Sequence, residues 1–478
     1  MKNMERRKRT MRRSIRLGHC ICDPKKPCPC DLFKEKDICM CAGERLESPT
    51  GKVELTKLVE KAGCASKIDQ VFLKEVLNGL PTFDDPRVLI GVVAGDDAGV
   101  YDMGNGQALV QTVDVFTPSV DDPYMFGEVA AANSVSDIYA MGGKPMTALS
   151  VLGFPVRKVP DNVMSEILRG GIDKMKEAGV AIIGGHSIND SEMKAGFAVT
   201  GIIETDKIAT NSAAEDGDIL ILTKPLGTGI VAFASQIGRS RKESTDASAK
   251  SMTTLNKTAA ELMIQFGAHA CTDVTGFSLL GHLTEMALRS GVDAEIIWDD
   301  IPVFPGVLEY IAHGILPGAI ERNRESCGDR VVASEDLRQE MVDMCFDAQT
   351  SGGLLIAISK DKSKEFLKSL HAGGVKEAAI IGHIRGAGDG KVYIETTGKR
   401  KLPEVEKVKA AAPKASLQPA SEPAQTSEPA CCADGHSDDS TGEKSGVEAI
   451  EANYMSFLGS VGRPSGLDAY TKQAVNIA

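Results

Sequence analysis

Between Leu55 and about residue 395, short runs rich in β-branched residues, such as Ala108–Val115 and Ala195–Ile203, alternate with longer helix-like stretches such as Val163–Ala178. Strand-length runs set between helix-length ones bury their apolar faces only in a layered α/β (α+β) arrangement, so the pattern predicts one or two such domains. A polar segment near residues 205–217 interrupts it before a second strand signal, Asp218–Leu222, which runs into Thr223-Lys-Pro-Leu-Gly. We place an internal boundary there, giving regions 51–205 and 206–395.

Composition separates the flanks. Residues 1–50 are basic and cysteine-rich, and residues 1–16 hold eight Lys/Arg against one Glu in a chain of net charge −12. This arm reads as solvated and disordered, with contact to nucleic acid or an anionic surface as the lesser alternative, so a nucleic-acid partner is not expected. Residues 396–446, including PKASLQPASEPAQTSEPA, have too little apolar surface to fold and read as a disordered linker. Residues 447–478 regain helical periodicity and read as a short helical tail.

The apolar runs Val180–Ile183 and Ile219–Leu222 fall far short of the roughly 20 residues a spanning helix needs, so no membrane association is expected. Arg12-Arg13 is followed by no apolar export segment. Of 12 cysteines, six crowd into residues 20–41, four are scattered through the body and two are the pair Cys431–Cys432. That distribution is unlike a disulfide framework and points to a reducing, cytoplasmic setting.

No GxxxxGK[ST] pattern exists, and Gly104-Asn-Gly106 and Gly227-Thr-Gly229 lack dinucleotide-binding spacing. A nucleotide would instead be held through magnesium, which takes carboxylates together with phosphate oxygens. Four aspartate sites are candidates: Asp96-Asp97 between glycines, Asp114 at a strand end, Asp137 four residues after Asn133 on one helix face, and Asp273 in Thr272-Asp273-Val-Thr-Gly276. Singly, each also reads as a turn former, cap or surface charge. Gly184-Gly185-His186-Ser187 reads as a turn after a buried strand, where backbone N–H groups approach phosphate or simply turn the chain. In Ala62-Gly-Cys64-Ala-Ser-Lys67, a cation and the start of a helix near Asp69 both favour a reactive thiolate, against the alternative of an inert buried thiol.

Together these segments resemble the selenophosphate synthetase (selenide, water dikinase) family, within the aminoimidazole ribonucleotide synthetase-like ATP-binding superfamily. The resemblance spans about Leu55 to 395 through, in order, AGCASK, GDDAGVYDMGNG, TVDVFTPSVDDPYMFGEVAAANSVSDIYAMGGKP, GGHSI, TKPLGTG, CTDVTGFSLLGHL and DAQTSGGLL. It implies a two-domain core, with 51–205 binding ATP and magnesium and 206–395 as the C-terminal domain. The implied reaction converts ATP, selenide and water to selenophosphate, AMP and phosphate.

Carried over, Cys64 and Lys67 are the implied catalytic residues, and Asp97, Asp137 and Asp273 the implied metal ligands. Lys67, Asp96, Asp114, Asp137, Gly185, His186 and Ser187 are the implied nucleotide contacts. A homodimer and a selenium-delivery protein are the implied partners, and the Cys64 loop is expected to be mobile without ATP. Ser66 stands where many members carry a second cysteine, and Gly95 where a basic residue is common.

Outside that resemblance, Cys20, Cys22, Cys28, Cys30, Cys39 and Cys41 form three Cys-x-Cys pairs. Six thiolates in so short a segment suit a zinc or iron–sulfur site, with reduced, unstructured thiols or a selenium or redox relay as alternatives. The tail GRPSGLDAYTKQAVNIA resembles the opening helix of the alkylhydroperoxidase-D-like fold, implying a truncated fragment.

Overall fold

The computed structural model describes residues 4–21, 25–44, 53–68, 70–78, 84–92, 95–156 and 158–403. The linker beyond residue 403, the helical tail, Cys22 and the Cys431–Cys432 pair lie outside the described residues.

The arm expected to be disordered is instead helix α1, Met4–Leu17, followed by the short α2, Asp31–Lys36. The cause is a partner over thirty residues away. Buried Arg7 donates to Asp37 at 2.8 Å and to Glu44 at 2.7 Å, and its guanidinium lies over the Phe33 ring. Helix α3, Gln70–Asn78, follows the Cys64 segment.

Two sheets carry the core. The first is built from β1 (Val88–Ile90), β2 (Gly99–Asp102), β3 (Gln107–Phe116), then, after α4 (Pro123–Ala140), β4 (Lys144–Phe154), α5 (Asp161–Ala178), β5 (Ala181–Asn189) and β6 (Lys194–Glu204). Its order is β1-β2-β3-β6-β4-β5, antiparallel except for the β4–β5 pair.

Helix α4 explains why this sheet has a dry face. Asp122 caps it by accepting the Met125 N–H at 2.9 Å, Pro123 starts it, and most of its residues are buried. It packs on α5 so closely that a Cβ at Gly127 would sit 1.9 Å from the Ile167 carbonyl oxygen, and one at Gly170 1.9 Å from that of Tyr124. Glycine is required at that crossing.

The second sheet starts at β7 (Ile219–Leu222), followed by α6 (Thr228–Gln236), α7 (Lys242–Thr253), α8 (Lys257–Phe266), β8 (Ala270–Asp273), α9 (Ser278–Ser290) and β9 (Val292–Ile297). Helices α10 (Val307–Ala312) and α11 (Ala319–Cys327), β10 (Val331–Ala333), α12 (Gln339–Cys345), β11 (Leu354–Ile358), α13 (Lys360–Ala372), β12 (Ala379–Ala387) and β13 (Val392–Glu395) complete it. Its order is β10-β13-β9-β12-β7-β11-β8. Strands β8 and β11 are buried at every residue, which is why they read as unbroken apolar or small runs rather than alternating ones. The chain also stays folded past residue 395, where the linker was expected to begin. Asp299 accepts from Thr396, Thr397 and Arg400, and Leu402 is buried.

Candidate functional site

Helix α4 lies against β3 of the first sheet and β8 of the second, and this places carboxylates from distant segments together. Asp97 precedes β2, Asp137 is on α4 and Asp273 ends β8. One oxygen from each lies within 4.8 Å of the others, and no other such group of three or more His, Cys, Asp or Glu occurs among the described residues.

Close packing of three acids away from water has an electrostatic signature. Burial first, offset by Ser136 and Lys67, pushes the Asp273 carboxyl up to about 6. Burial and then the neighbouring Asp273 push Asp97 and Asp137 well above the ordinary carboxylate range. Buried oxygens Oδ2 of Asp97 and Asp273 have no hydrogen-bond partner. Unpartnered buried carboxylate oxygens facing one another are what a hard divalent cation such as Mg2+ relieves, so the residues present fit that ion.

The remaining oxygens are tied down. Thr112 Oγ1 donates to Asp137, and Thr272 Oγ1 donates to Asp97 at 2.8 Å. Behind Thr272, His282 Nε2 accepts the Thr275 N–H at 3.2 Å, which leaves Nδ1–H to donate to Thr272 Oγ1 at 3.3 Å. Burial, then Lys67, lowers His282 to about 3, so the ring is neutral and this tautomer is fixed.

Sequence reasoning assigned no role to Thr112, Thr272 or His282. The only signal was their position inside the ordered motifs, since a hydroxyl or imidazole acquires this role from neighbours that the fold supplies.

In this conformation the Cys64 segment is hydrogen-bonded to both halves of the core. Gly63 N–H donates to the Thr117 carbonyl at 3.2 Å, Cys64 N–H to Thr350 Oγ1 at 3.0 Å, and Arg322 to the Ala65 carbonyl at 2.6 Å. At Gly63, φ is +63° and a Cβ would stand 2.3 Å from Thr350 Oγ1, so only glycine fits. Ser66, in place of a second cysteine, closes the turn by donating to the Gly63 carbonyl at 2.8 Å.

Lys67 Nζ lies 2.9 Å from Asp114 Oδ1, and Asn133 donates to the other Asp114 oxygen. Burial works against the Lys67 charge, but Asp114, Cys64 and Asp137 outweigh it and hold the ammonium protonated. Of the two readings left open for Cys64, this conformation holds the buried thiol. Burial pushes the thiol up to about 12 despite Lys67, because Asp114 already engages that cation. In this conformation Cys64 is a thiol, with Sγ 3.8 Å from Asn133 Oδ1.

Three further placements differ from expectation or add to it. Gly185, His186 and Ser187 form no turn but lie within exposed edge strand β5, paired in parallel with Ser150, Val151 and Leu152. Asp96 accepts the N–H groups of Asp97 and, from far along the chain, Asn211. The start of α6 is closed by the chain's own side chains: Asp347 Oδ2 accepts from Gly229 and Ile230, and Gln349 Oε1 from Gly227 and Thr228. That helix end therefore offers no empty seat to phosphate.

Among the described residues the cysteines of residues 20–41 do not gather as a metal-ligand set, and Cys41 is disulfide-bonded; Cys22, the sixth of the expected set, lies outside the described residues.

This two-sheet frame with aspartates from both halves has known counterparts. Residues 95–203 match the AIR synthase related protein, N-terminal domain, and residues 215–395 the AIR synthase related protein, C-terminal domain, so the chain is built from that pair of domains. A selenide, water dikinase of Pelobacter propionicus is 46% identical over 332 residues, covering 70% of this chain and 95% of that protein. One from Geobacter metallireducens is 45% identical over 331 residues, covering 69% and 96%. The chain belongs to the selenide, water dikinase family. Among solved structures, a HypE–HypF complex matches with a TM-score of 0.51 at 18% identity, covering 70% of this chain and 99% of that one, a likeness of fold.

Proposed function

We infer that this chain is a selenophosphate synthetase that converts ATP, selenide and water to selenophosphate, AMP and phosphate. The observation that carries the reading is the convergence of Asp97, Asp137 and Asp273 beside the Lys67–Asp114 pair, in a chain of this family. Asp97, Asp137 and Asp273 would hold Mg2+, which when bound neutralises the polyphosphate and polarises the transferring group.

The chain's own residues supply orientation and charge. Lys67 is kept protonated and aimed by Asp114, so it can meet negative charge developing on a phosphoryl oxygen. Asn133 donates to Asp114 and accepts the Ser351 N–H at 2.7 Å, which ties the first half of the site to the second. Cys64, a buried thiol in this conformation, is the proposed group that orients or receives selenide. Asp96, Gly185, His186 and Ser187 remain proposed nucleotide contacts; on exposed β5 the last three would serve a nucleotide lying across the open sheet face.

That face also supports a homodimer. Val113, Leu149, Ile183 and Ile188 are apolar and exposed on it, at 63%, 44%, 65% and 54%. No described helix is long and apolar enough to cross a membrane, and a cytoplasmic setting is part of the same reading.

Anaerobic assay of selenide-dependent AMP formation tests the function. Asp97→Asn, Asp137→Asn and Asp273→Asn should each lose at least about 100-fold in rate, the loss typical of removing one preorganised charge-stabilising group. Wild-type rates in all three would overturn the assignment.

A further inference from the structure

Three consecutive residues of one turn, Thr350-Ser351-Gly352, each bind a different part of the proposed site. Thr350 Oγ1 accepts the Cys64 N–H at 3.0 Å. The Ser351 N–H donates to Asn133 Oδ1 at 2.7 Å, and Asn133 donates to Asp114, which holds Lys67. The Gly352 carbonyl accepts from Asn256 Nδ2 at 2.9 Å. The same nitrogen donates to Ser136 Oγ at 2.9 Å, and Ser136 hydrogen-bonds Asp273.

The turn has no slack. Ser351 sits at φ +48°, in the left-handed region, and a Cβ at Gly352 would lie 1.9 Å from the carbonyl oxygen of Val274, the neighbour of Asp273. A Cβ at Gly353 would lie 2.4 Å from the Lys224 backbone nitrogen. Ser351 Oγ is buried with no hydrogen-bond partner among the described residues, so the backbone of Ser351 alone carries the link.

Two buried side chains from outside the turn hold it. Lys224, just after β7, donates from Nζ to the Ser351 carbonyl at 3.0 Å and to the Thr254 carbonyl at 2.7 Å. Asn256 stands immediately before α8. An ammonium is a costly choice for stability alone: burial lowers Lys224 to about 7, and carbonyls return only part of the lost hydration. Its effect is directional. By holding the carbonyl on one side of the Ser351 Cα, Lys224 fixes the N–H on the other side. That N–H can only donate, so the Asn133 group facing it is the oxygen, and the Asn133 Nδ2–H is turned toward Asp114.

We propose that Lys224 and Asn256 are positioning residues acting on opposite ends of the site. Lys224 sets the aim of Lys67 by way of Ser351, Asn133 and Asp114, and Asn256 sets the orientation of Asp273 by way of Ser136. This deepens, and rests on, the reading of Lys67 as the phosphoryl-facing cation and of Asp273 as a metal ligand.

The test uses the full chain. Lys224→Met should lower kcat for selenide-dependent AMP formation at least about tenfold, the scale of one hydrogen bond in a charged network, with KM for ATP and the half-saturating Mg2+ concentration kept. Asn133→Ala should also lower kcat, and the double variant should fall no further than the worse single one, because both cut the same line. Losses that multiply would overturn that line. Asn256→Ala should instead raise the half-saturating Mg2+ concentration about tenfold, both in activity and in a thermal-melt titration with Mg2+ alone. An unchanged Mg2+ titration would overturn its role. Hydrogen exchange gives a readout independent of turnover: Lys224→Met should speed exchange in peptides covering residues 63–67 and 350–353 and leave β12 and β13 as they are. Should Lys224→Met fail to fold, Lys224→Gln, which keeps a donor for one carbonyl, carries the same test. Wild-type kcat in a folded Lys224 variant overturns the positioning role alone, whereas a wild-type chain that forms no AMP from selenide and ATP overturns the enzymatic reading.

Discussion

At the residue scale, the aspartate cluster is oriented by the hydroxyls of Thr112 and Thr272 and by the His282 ring behind them. The line from His282 through Thr272 to Asp97 fixes one ligand's orientation, and outer-shell partners of this kind are worth about 10–100-fold in metal affinity. Thr272→Val and His282→Asn should therefore raise the magnesium concentration for half-maximal rate by that factor while leaving the rate at saturating magnesium within a few-fold. Metal titrations of activity would show it; a fallen maximal rate with unchanged metal dependence would count against a positioning role.

The same cluster sets a pH dependence. Asp273 titrates near 6 rather than its ordinary 3.8, so without metal the folded state holds more protons than the unfolded chain between those values. Its contribution to stability is complete below about pH 4 and is lost as pH rises through about 6, with Asp97 and Asp137 extending the loss upward. Magnesium must displace those protons, so its stabilising effect should grow with pH. Melting with and without Mg2+ at pH 5 and pH 8 checks this, and an equal gain at both would contradict it.

At the element scale, the α4–α5 crossing leaves no room for a side chain at Gly127. Gly127→Ala should cost about 1–3 kcal/mol through overpacking, read as a lower denaturation midpoint with the slope kept. The aspartates were visible as candidates at strand ends and on a helix face, but only the ordered run of motifs set them apart from turn formers and caps. What covers α1 was not visible: Arg7 finds Asp37 and Glu44 some thirty residues on, and no local rule foretells that pairing. Gly184–Ser187 misled for a related reason. Two glycines after an apolar run read as a turn, yet here glycine serves close strand approach, with a Cβ at Gly185 landing 2.0 Å from Ser150 Oγ. At Cys64 the sequence left thiolate and buried thiol both open, because spacing records a nearby lysine but not the carboxylate that occupies it.

At the scale of the whole molecule, the exposed apolar residues of the first sheet make association testable. Ile183→Lys combined with Val113→Lys should shift a dimer to monomer in sedimentation and lower activity with it, whereas an unchanged mass would remove that face as an interface. The site itself is assembled from segments lying as far apart as residues 64 and 351, so neither sheet alone holds a complete set. One detail bears on how such a protein behaves in its surroundings. Asp347 and Gln349 already saturate the opening amides of α6, so the fold withholds the fixed positive end that many nucleotide sites use. On the proposed reading, most of the charge that offsets a triphosphate would then arrive dissolved. Turnover would become a readout of ambient divalent-ion activity, and a chelator is expected to silence it reversibly while the chain stays folded.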